Sequence, residues 1–345
     1  MAINERTGGI AHIRLHNQRT KRLSQQLSFR FPRERTIKVG AEPGETIKTQ
    51  YAEMRCLGHE VVRSGTACGE VVTFGEILDQ VKSQRLAAYR QTVRVWRACP
   101  TVEIEIELTD VILPDGDPWN NYFASRFAWN DSTAAVTRSI YHTAQSFAGE
   151  RFETSDYIEV ASEEERLTIV PHGLAFHRKT GDRMVDSLLL VSGDTARRFQ
   201  FTIAVDAPYP LEAAWNATSP APVIPTEVGP PRSGTSGWFF HLDSRQVQIT
   251  RILPVQNNEA VPSPLEQFEH VSVPHDPGFA LRLLETEGLS RPVKLRCFRP
   301  PTFARKRNFR GETISELLIE GDAVVIDLTA FEIVDVELRF GQGSA

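Results

Sequence analysis

The 345-residue sequence predicts an all-β protein, a large antiparallel β-sandwich followed by a smaller one. The clearest sign is strict alternation in Thr101–Leu108. There Val102, Ile104, Ile106 and Leu108 face one way and Glu103, Glu105 and Glu107 the other. The same pattern recurs in Arg198–Val205, where Phe199, Phe201, Ile203 and Val205 alternate with Arg198, Gln200, Thr202 and Ala204. Turn signals such as Leu113-Pro-Asp-Gly-Asp-Pro118, Lys179-Thr-Gly-Asp182 and Ser192-Gly-Asp194 punctuate the strands, and hardly any stretch has a helical period.

Taken in order, the chain opens with glycine turns and short apolar groups from Gly9 to Arg30, read as strands joined by a polar loop. Eight basic residues (Arg14, Arg19, Lys21, Arg22, Arg30, Arg33, Arg35, Lys38) read as a solvated loop face. Thr46–Val62 and Cys68–Gly75 follow. Phe74–Arg90 reads either as a helix or as strand, polar tip, strand. Thr92–Cys99 and Thr101–Leu108 lead into the turn at Leu113–Pro118. Further strands are expected at Ala134–Tyr141, Asp156–Val160, Arg166–Val170 and Asp186–Val191. From Asn216 to Gly237 the sequence is rich in Pro, Gly and Ser without period, a linker or long crossover. A second strand series comprises Trp238–Leu242, Gln246–Val255, Leu281–Glu285, Val293–Phe298, Ser315–Ile319 and Ala323–Leu328. Phe331–Phe340 closes it, with Ile333, Val336 and Leu338 as its apolar positions. The expected boundaries are 1–220 for the large sandwich, 221–237 for the linker and 238–341 for the smaller sandwich.

Hydrophobic residues are 41% and charged residues 24% of the chain, a balance that permits a sizeable core. A net charge of −5 and a pI near 6.0 argue against nucleic-acid or anionic-membrane binding. No run approaches the roughly 18 apolar residues of a membrane-spanning helix. Met1-Ala-Ile-Asn-Glu-Arg6 has no apolar h-region, so the expectation is a cytoplasmic protein. Structured-looking sequence begins almost at once, which fits one piece of a split or longer protein. The four cysteines lack a C-x-x-C pair. They read as buried free thiols, with a Cys56–Cys68 disulfide as the alternative.

Candidate chemistry concentrates in Asp115–Trp129, which crowds two Trp, a Tyr, two Phe, two Asn and an Arg. Rings stack on the CH-rich faces of sugars and amides pair with their hydroxyls, so Trp119, Asn121, Tyr122 and Arg126 are candidate carbohydrate contacts. The competing reading is a core corner that buries Trp119 and Trp129 and pairs Arg126 with a buried carboxylate or backbone carbonyl. His172, His177 and Arg178 read as a polar loop able to bind hydroxyls or to serve as acid and base. The tripeptide His241-Leu-Asp243 is a weak metal fragment, because two ligands do not make a site. No G-x-S-x-G, H-E-x-x-H or P-loop pattern is present.

Several separated stretches carry a family resemblance: Asn4–Ile10, Arg22–Leu27, Gly69–Gly75 and Thr101–Leu108, then Pro118–Trp129, Ala280–Gly288 and Ala330–Phe340. On these the chain resembles the C-terminal β region of α-mannosidases of glycoside hydrolase family 38. The resemblance implies a supersandwich like that of galactose mutarotase, with a smaller terminal sandwich. It also implies retaining hydrolysis, in which the nucleophile and the zinc ligands lie in an N-terminal α/β domain. No catalytic residue carries over to this chain. No cofactor is expected here, zinc being implied for the separate catalytic domain. Family members bring a basic residue toward the sugar on a strand shortly after the counterpart of His172. Here that strand, Asp186–Leu190, offers no arginine.

The leading expectation is therefore a non-catalytic β portion of an α-mannosidase-like hydrolase. Its partners would be an N-terminal α/β catalytic domain, on the same or a companion polypeptide, and a mannose-containing carbohydrate. The alternatives are a stand-alone carbohydrate-binding module and a mutarotase-like aldose epimerase using His172 and His177.

Overall fold

The structure, a computed structural model, describes residues 1–15, 21–38, 46–219, 221–225, 227, 237–255 and 276–341. It divides into two compact units, residues 1–221 and 222–345. Most of the expected linker lies outside the described residues, as does Arg19.

The first unit begins with β1 (Ala2–Ile3), β2 (Ile10–Ile13), β3 (Leu23–Lys38), β4 (Thr46–Tyr51) and β5 (Glu53–Ser64). Next come β6 (Cys68–Asp79), β7 (Gln84–Trp96), β8 (Thr101–Thr109), β9 (Tyr122–Trp129), β10 (Ala135–Ile140) and β11 (Thr143–Ser146). The unit ends with β12 (Arg151–Glu153), β13 (Ile158–Ala161), β14 (Arg166–Val170), β15 (Phe176–Gly181), β16 (Met184–Leu190), β17 (Arg198–Val205) and α1 (Pro210–Thr218). All pairings are antiparallel. One sheet runs β1-β2-β3-β9-β16-β15-β12 with β4 on β3, and the other runs β11-β10-β13-β14-β17-β8-β7-β6-β5.

The two sheets share one core. Leu23, Leu27, Phe123 and Phe127 come from the eight-stranded sheet, and Ile104, Ile106, Phe201 and Ile203 from the nine-stranded one. The Phe127 and Phe201 rings meet edge to face at 5.2 Å, and each such buried side chain contributes about 1.5–3 kcal/mol.

The second unit contains β18 (Phe240–Leu242), β19 (Val247–Val255), β20 (Gly278–Glu285), β21 (Arg291–Cys297), β22 (Phe303–Arg307), β23 (Thr313–Glu316), β24 (Leu318–Glu320), β25 (Ala323–Leu328) and β26 (Ile333–Arg339). They form a four-stranded sheet, β18-β21-β25-β24, and a five-stranded sheet, β19-β20-β26-β22-β23. Leu281, Leu283, Val334, Val336 and Leu338 pack against Val293, Leu295, Val324 and Ile326. The all-β sandwich class is therefore as expected.

Several local readings are settled or corrected. Phe74–Arg90 is strand, turn, strand, paired from Cys68↔Trp96 to Asp79↔Gln84. The basic stretch is no solvated loop, because Arg22, Arg30 and Arg35 flank or lie on β3, paired with Asp206, Tyr51 and Asp79. The β8 carboxylates are paired as well. Glu103 takes Arg94 at 3.1 Å and Trp96 at 3.0 Å, and Glu107 takes Arg198 at 3.1 Å. The cysteines are free thiols as expected, but only Cys68 and Cys297 are buried, Cys56 being half-buried and Cys99 exposed. On β26 the apolar core face is Val334, Val336 and Leu338, the other face buries Asp335, Glu337 and Arg339, and Ile333 is exposed. Pro210–Thr218, unforeseen, forms a helix with Pro at its start, where a missing N–H costs nothing. No helix among the described residues is long and apolar enough to cross a membrane.

Candidate functional site

The turn before β9 is built by its own side chains. Gly116 adopts φ +76°, which only glycine tolerates readily. Asp117 accepts the Trp119 amide at 3.0 Å, and Asn121 Nδ2 donates to both Asp115 oxygens, backbone and side chain, at 2.8 Å. These Asx contacts deliver the chain into β9 with Tyr122, Ala124 and Arg126 on the face away from the sandwich core.

On that face the register places charges in a row. Gln26 pairs with Arg126, Arg126 with Asp186, Asp186 with Arg178, and Arg178 with Arg151. Asp186 is 0% exposed. Its Oδ1 accepts Arg126 Nε at 2.8 Å, and its Oδ2 accepts the hydroxyls of Tyr122 at 2.9 Å and Tyr51 at 3.1 Å. The Tyr51 ring lies under the Arg126 guanidinium, 3.6 Å from centroid to Cζ, and its oxygen accepts Arg30 Nη1 at 2.9 Å. Burial, and then the Asp186 carboxylate, push the Tyr51 and Tyr122 phenols above their ordinary values, so both stay neutral donors. Burying a carboxylate costs several kcal/mol, and three charge-assisted or phenolic donors offset that here.

Beside this network a groove of about 400 Å³ is lined by Arg30, Tyr51, Glu150, Arg178, Lys179 and Asp182, among others. Arg30 Nε is buried and has no partner among the described residues. Arg178 donates to the Trp119 carbonyl at 2.6 Å and to Asn120 Oδ1 at 3.0 Å, latching the 115–121 turn to β15. Trp119 is half-buried, edge-on to Phe176 at 5.9 Å and 5.6 Å from Arg151.

Five candidates from the sequence, Trp119, Asn121, Tyr122, Arg126 and Arg178, thus converge on one face, but mostly as its framework. Tyr122 has no exposed surface and Asn121 caps the turn, so neither touches a sugar in this arrangement. Arg126 pairs with a buried carboxylate, the alternative the sequence had left open. His177 and Arg178 are on strand β15 and not in a loop. His177 is 0% exposed on the core side, its Nε2 donating to the Leu174 carbonyl at 3.0 Å and its Nδ1 meeting Ser187 Oγ at 3.0 Å. Burial lowers its pKa to about 3, so it is no acid–base group at neutral pH. His172 lies apart, hydrogen-bonded to Thr202 on the nine-stranded sheet. The acid–base pair required by an epimerase is therefore not assembled.

Sequence reasoning missed Tyr51, Arg30 and above all Asp186. The available signal was a lone carboxylate heading the apolar run Leu188–Leu190. Among the described residues no three His, Cys, Asp or Glu side chains are grouped to hold a metal. The H-x-D fragment does not fit one either, since Asp243 Oδ1 accepts the Lys294 amide at 2.9 Å beside an exposed His241.

An all-β double sandwich has solved counterparts. The chain is similar to a glycosyl hydrolase family 38 protein from Enterococcus faecalis, with TM-score 0.60 and 13% identity over 93% of this chain and 40% of that one. It is equally similar to an alpha-mannosidase from Enterococcus faecalis V583, with TM-score 0.61 and 13% identity over 93% of this chain and 38% of that one. The likeness defines the fold, and the chain spans about two fifths of the length of these structures. No family model and no curated protein matches the sequence.

Proposed function

We propose that this chain is the non-catalytic β portion of an α-mannosidase-like retaining glycoside hydrolase. It packs on a separate zinc-dependent α/β catalytic domain and helps wall that domain's sugar site, whose ligand is a mannose-containing carbohydrate. The observation that carries this reading is a likeness covering 93% of this chain and only 40% of a family 38 protein, which leaves most of such a protein to other domains. The larger sandwich is then of the galactose-mutarotase type. The Asp186 network suits a wall, because every member is held by another and the face keeps its shape without a ligand.

Assaying the chain alone on an aryl α-mannoside with added zinc tests the non-catalytic role. No turnover is expected, and turnover abolished by chelation would refute it.

The half-buried Trp119 and exposed Phe176, on the same turn-and-β15 framework that Arg178 ties to the groove, favour one second reading, a carbohydrate-binding module. Calorimetric titration with mannosides separates the two, since flat heats at millimolar sugar leave no module to explain.

A further inference from the structure

The nine-stranded sheet carries a groove of its own, of about 360 Å³, away from the Asp186 network. Four elements converge on it: Ser155 and Asp156 before β13, His172 and Gly173 after β14, Gln200 on β17 and Thr218 at the end of α1. Its volume lies within the range of about 300–1,000 Å³ typical of small-molecule sites.

Backbone strain gathers at its edges. The two-residue turn between β10 and β11 is Tyr141-His142, at φ +49° and +69°, in the geometry that Asn-Gly ordinarily fills. His172 adds φ +43°. Three of the eight non-glycine residues with positive φ among those described thus belong to the groove or to the turn that braces it. Strain of this kind persists where surrounding contacts hold it, and here they are specific. His142 Nδ1 meets Asp156 Oδ1 at 3.1 Å, and the His142 ring is edge-on to Trp215 of α1 at 5.2 Å. Ser155 Oγ donates to Asp156 Oδ2 at 2.7 Å, and His172 Nε2 pairs with Thr202 Oγ1 at 2.9 Å. The strained turn therefore fixes the carboxylate that faces the groove.

The lining selects a ligand class. It offers a carboxylate, an amide, an imidazole and two hydroxyls, the hydroxyls as acceptors because Ser155 donates to Asp156 and Thr218 to the Ala214 carbonyl. None of the lining residues is Lys or Arg, so an anion would meet Asp156 with no cation in the groove wall. An apolar ligand would leave these polar groups unpaired. We propose that the groove framed by Asp156, His172, Gln200 and Thr218 binds a single neutral glycosyl unit, with Asp156 held for it by the Tyr141-His142 turn. This site does not depend on the hydrolase reading, and either can fail without the other.

The test is an amide NMR titration of the full chain with methyl α-mannoside, methyl β-glucoside and methyl β-galactoside, and separately with glucuronate. At least one neutral glycoside should give saturable shifts at Ser155, Asp156, Gly173 and Gln200, with a Kd on the order of millimolar. Gln200→Ala removes an exposed side chain and should weaken binding roughly fivefold. Tyr141→Asn combined with His142→Gly should raise the Tm by relieving the turn, yet weaken binding at least as much. The proposal is overturned if no neutral glycoside perturbs these amides saturably up to about 100 mM. It is equally overturned if glucuronate binds more tightly than the neutral glycosides, or if both variants keep wild-type affinity.

Discussion

Asp186 stands opposite Arg126 in the β9–β16 register, its Oδ1 2.8 Å from the arginine Nε, on the sheet face that points away from the core. This wholly enclosed carboxylate organises Tyr51, Tyr122 and Arg30 around itself.

Replacing Asp186→Asn leaves the Arg126 charge buried without its counterion, at a cost of about 3–5 kcal/mol. Tyr122→Phe removes one donor of three and should cost only about 1 kcal/mol. Urea denaturation of both variants measures the difference, and equal losses would mean that the network is not centred on the carboxylate.

His177 ties stability to pH. Its folded pKa of about 3 lies below the unfolded value of 6.5, because burial disfavours the cation. Between those values the unfolded chain binds more protons, so this contribution is complete above the unfolded pKa and is lost as pH falls through the window. The slope from this one group is at most about 1.4 kcal/mol per pH unit. Denaturation midpoints from pH 7 to about 4 should fall less in His177→Gln than in the wild-type chain.

Arg178 latches the 115–121 turn by donating to the Trp119 carbonyl and to Asn120 Oδ1. Arg178→Ala should free the 115–121 turn, shift tryptophan emission to the red and cost about 1–3 kcal/mol. An unchanged spectrum would mean that Phe176 and Arg151 hold the indole without it.

In the second unit, Glu337 is enclosed by Arg305 at 2.8 Å, Arg307 at 3.0 Å and Arg339 at 2.7 Å. Burial by itself would raise its pKa, but the three guanidinium groups outweigh it and hold the carboxyl below the ordinary range. Its contribution is therefore present above the unfolded pKa and lost as pH falls through the folded one. Glu337→Gln should lower stability by about 3–5 kcal/mol at neutral pH, and by less in acid, as measured by calorimetry across pH.

The strands legible in the sequence are those with one dry and one wet face. Thr101–Leu108 alternates plainly because its outward residues are glutamates, and Arg198–Val205 because Arg198, Gln200 and Thr202 alternate with Phe199, Phe201 and Ile203, although Thr202 and Ala204 are themselves buried. The eight-stranded sheet is buried on both faces around Tyr122, Ala124, Asp186 and Leu188, which erases the alternation there. β15 reads as a loop in sequence because it carries His177 inward and Arg178 outward, two polar residues whose partners lie mostly on other elements. β22, Phe-Ala-Arg-Lys-Arg, is hidden for the same reason, since Arg305 and Arg307 both pair with Glu337 across the sheet. Of the candidate site, the turn and Arg126 were visible. Asp186 and Tyr51 were not, because only strand register brings them to Arg126.

The central claim is that this β region serves a separate catalytic domain. Its most direct test is to mix the chain with a family 38-type α/β catalytic domain from the same genome, on the same or a companion polypeptide, and to follow aryl α-mannoside hydrolysis with zinc. The account predicts no turnover from this chain alone, a stable complex with the α/β domain, and faster hydrolysis by the complex than by that domain alone. Zinc-dependent turnover by this chain alone, or an α/β domain that neither binds it nor responds to it, would contradict the account.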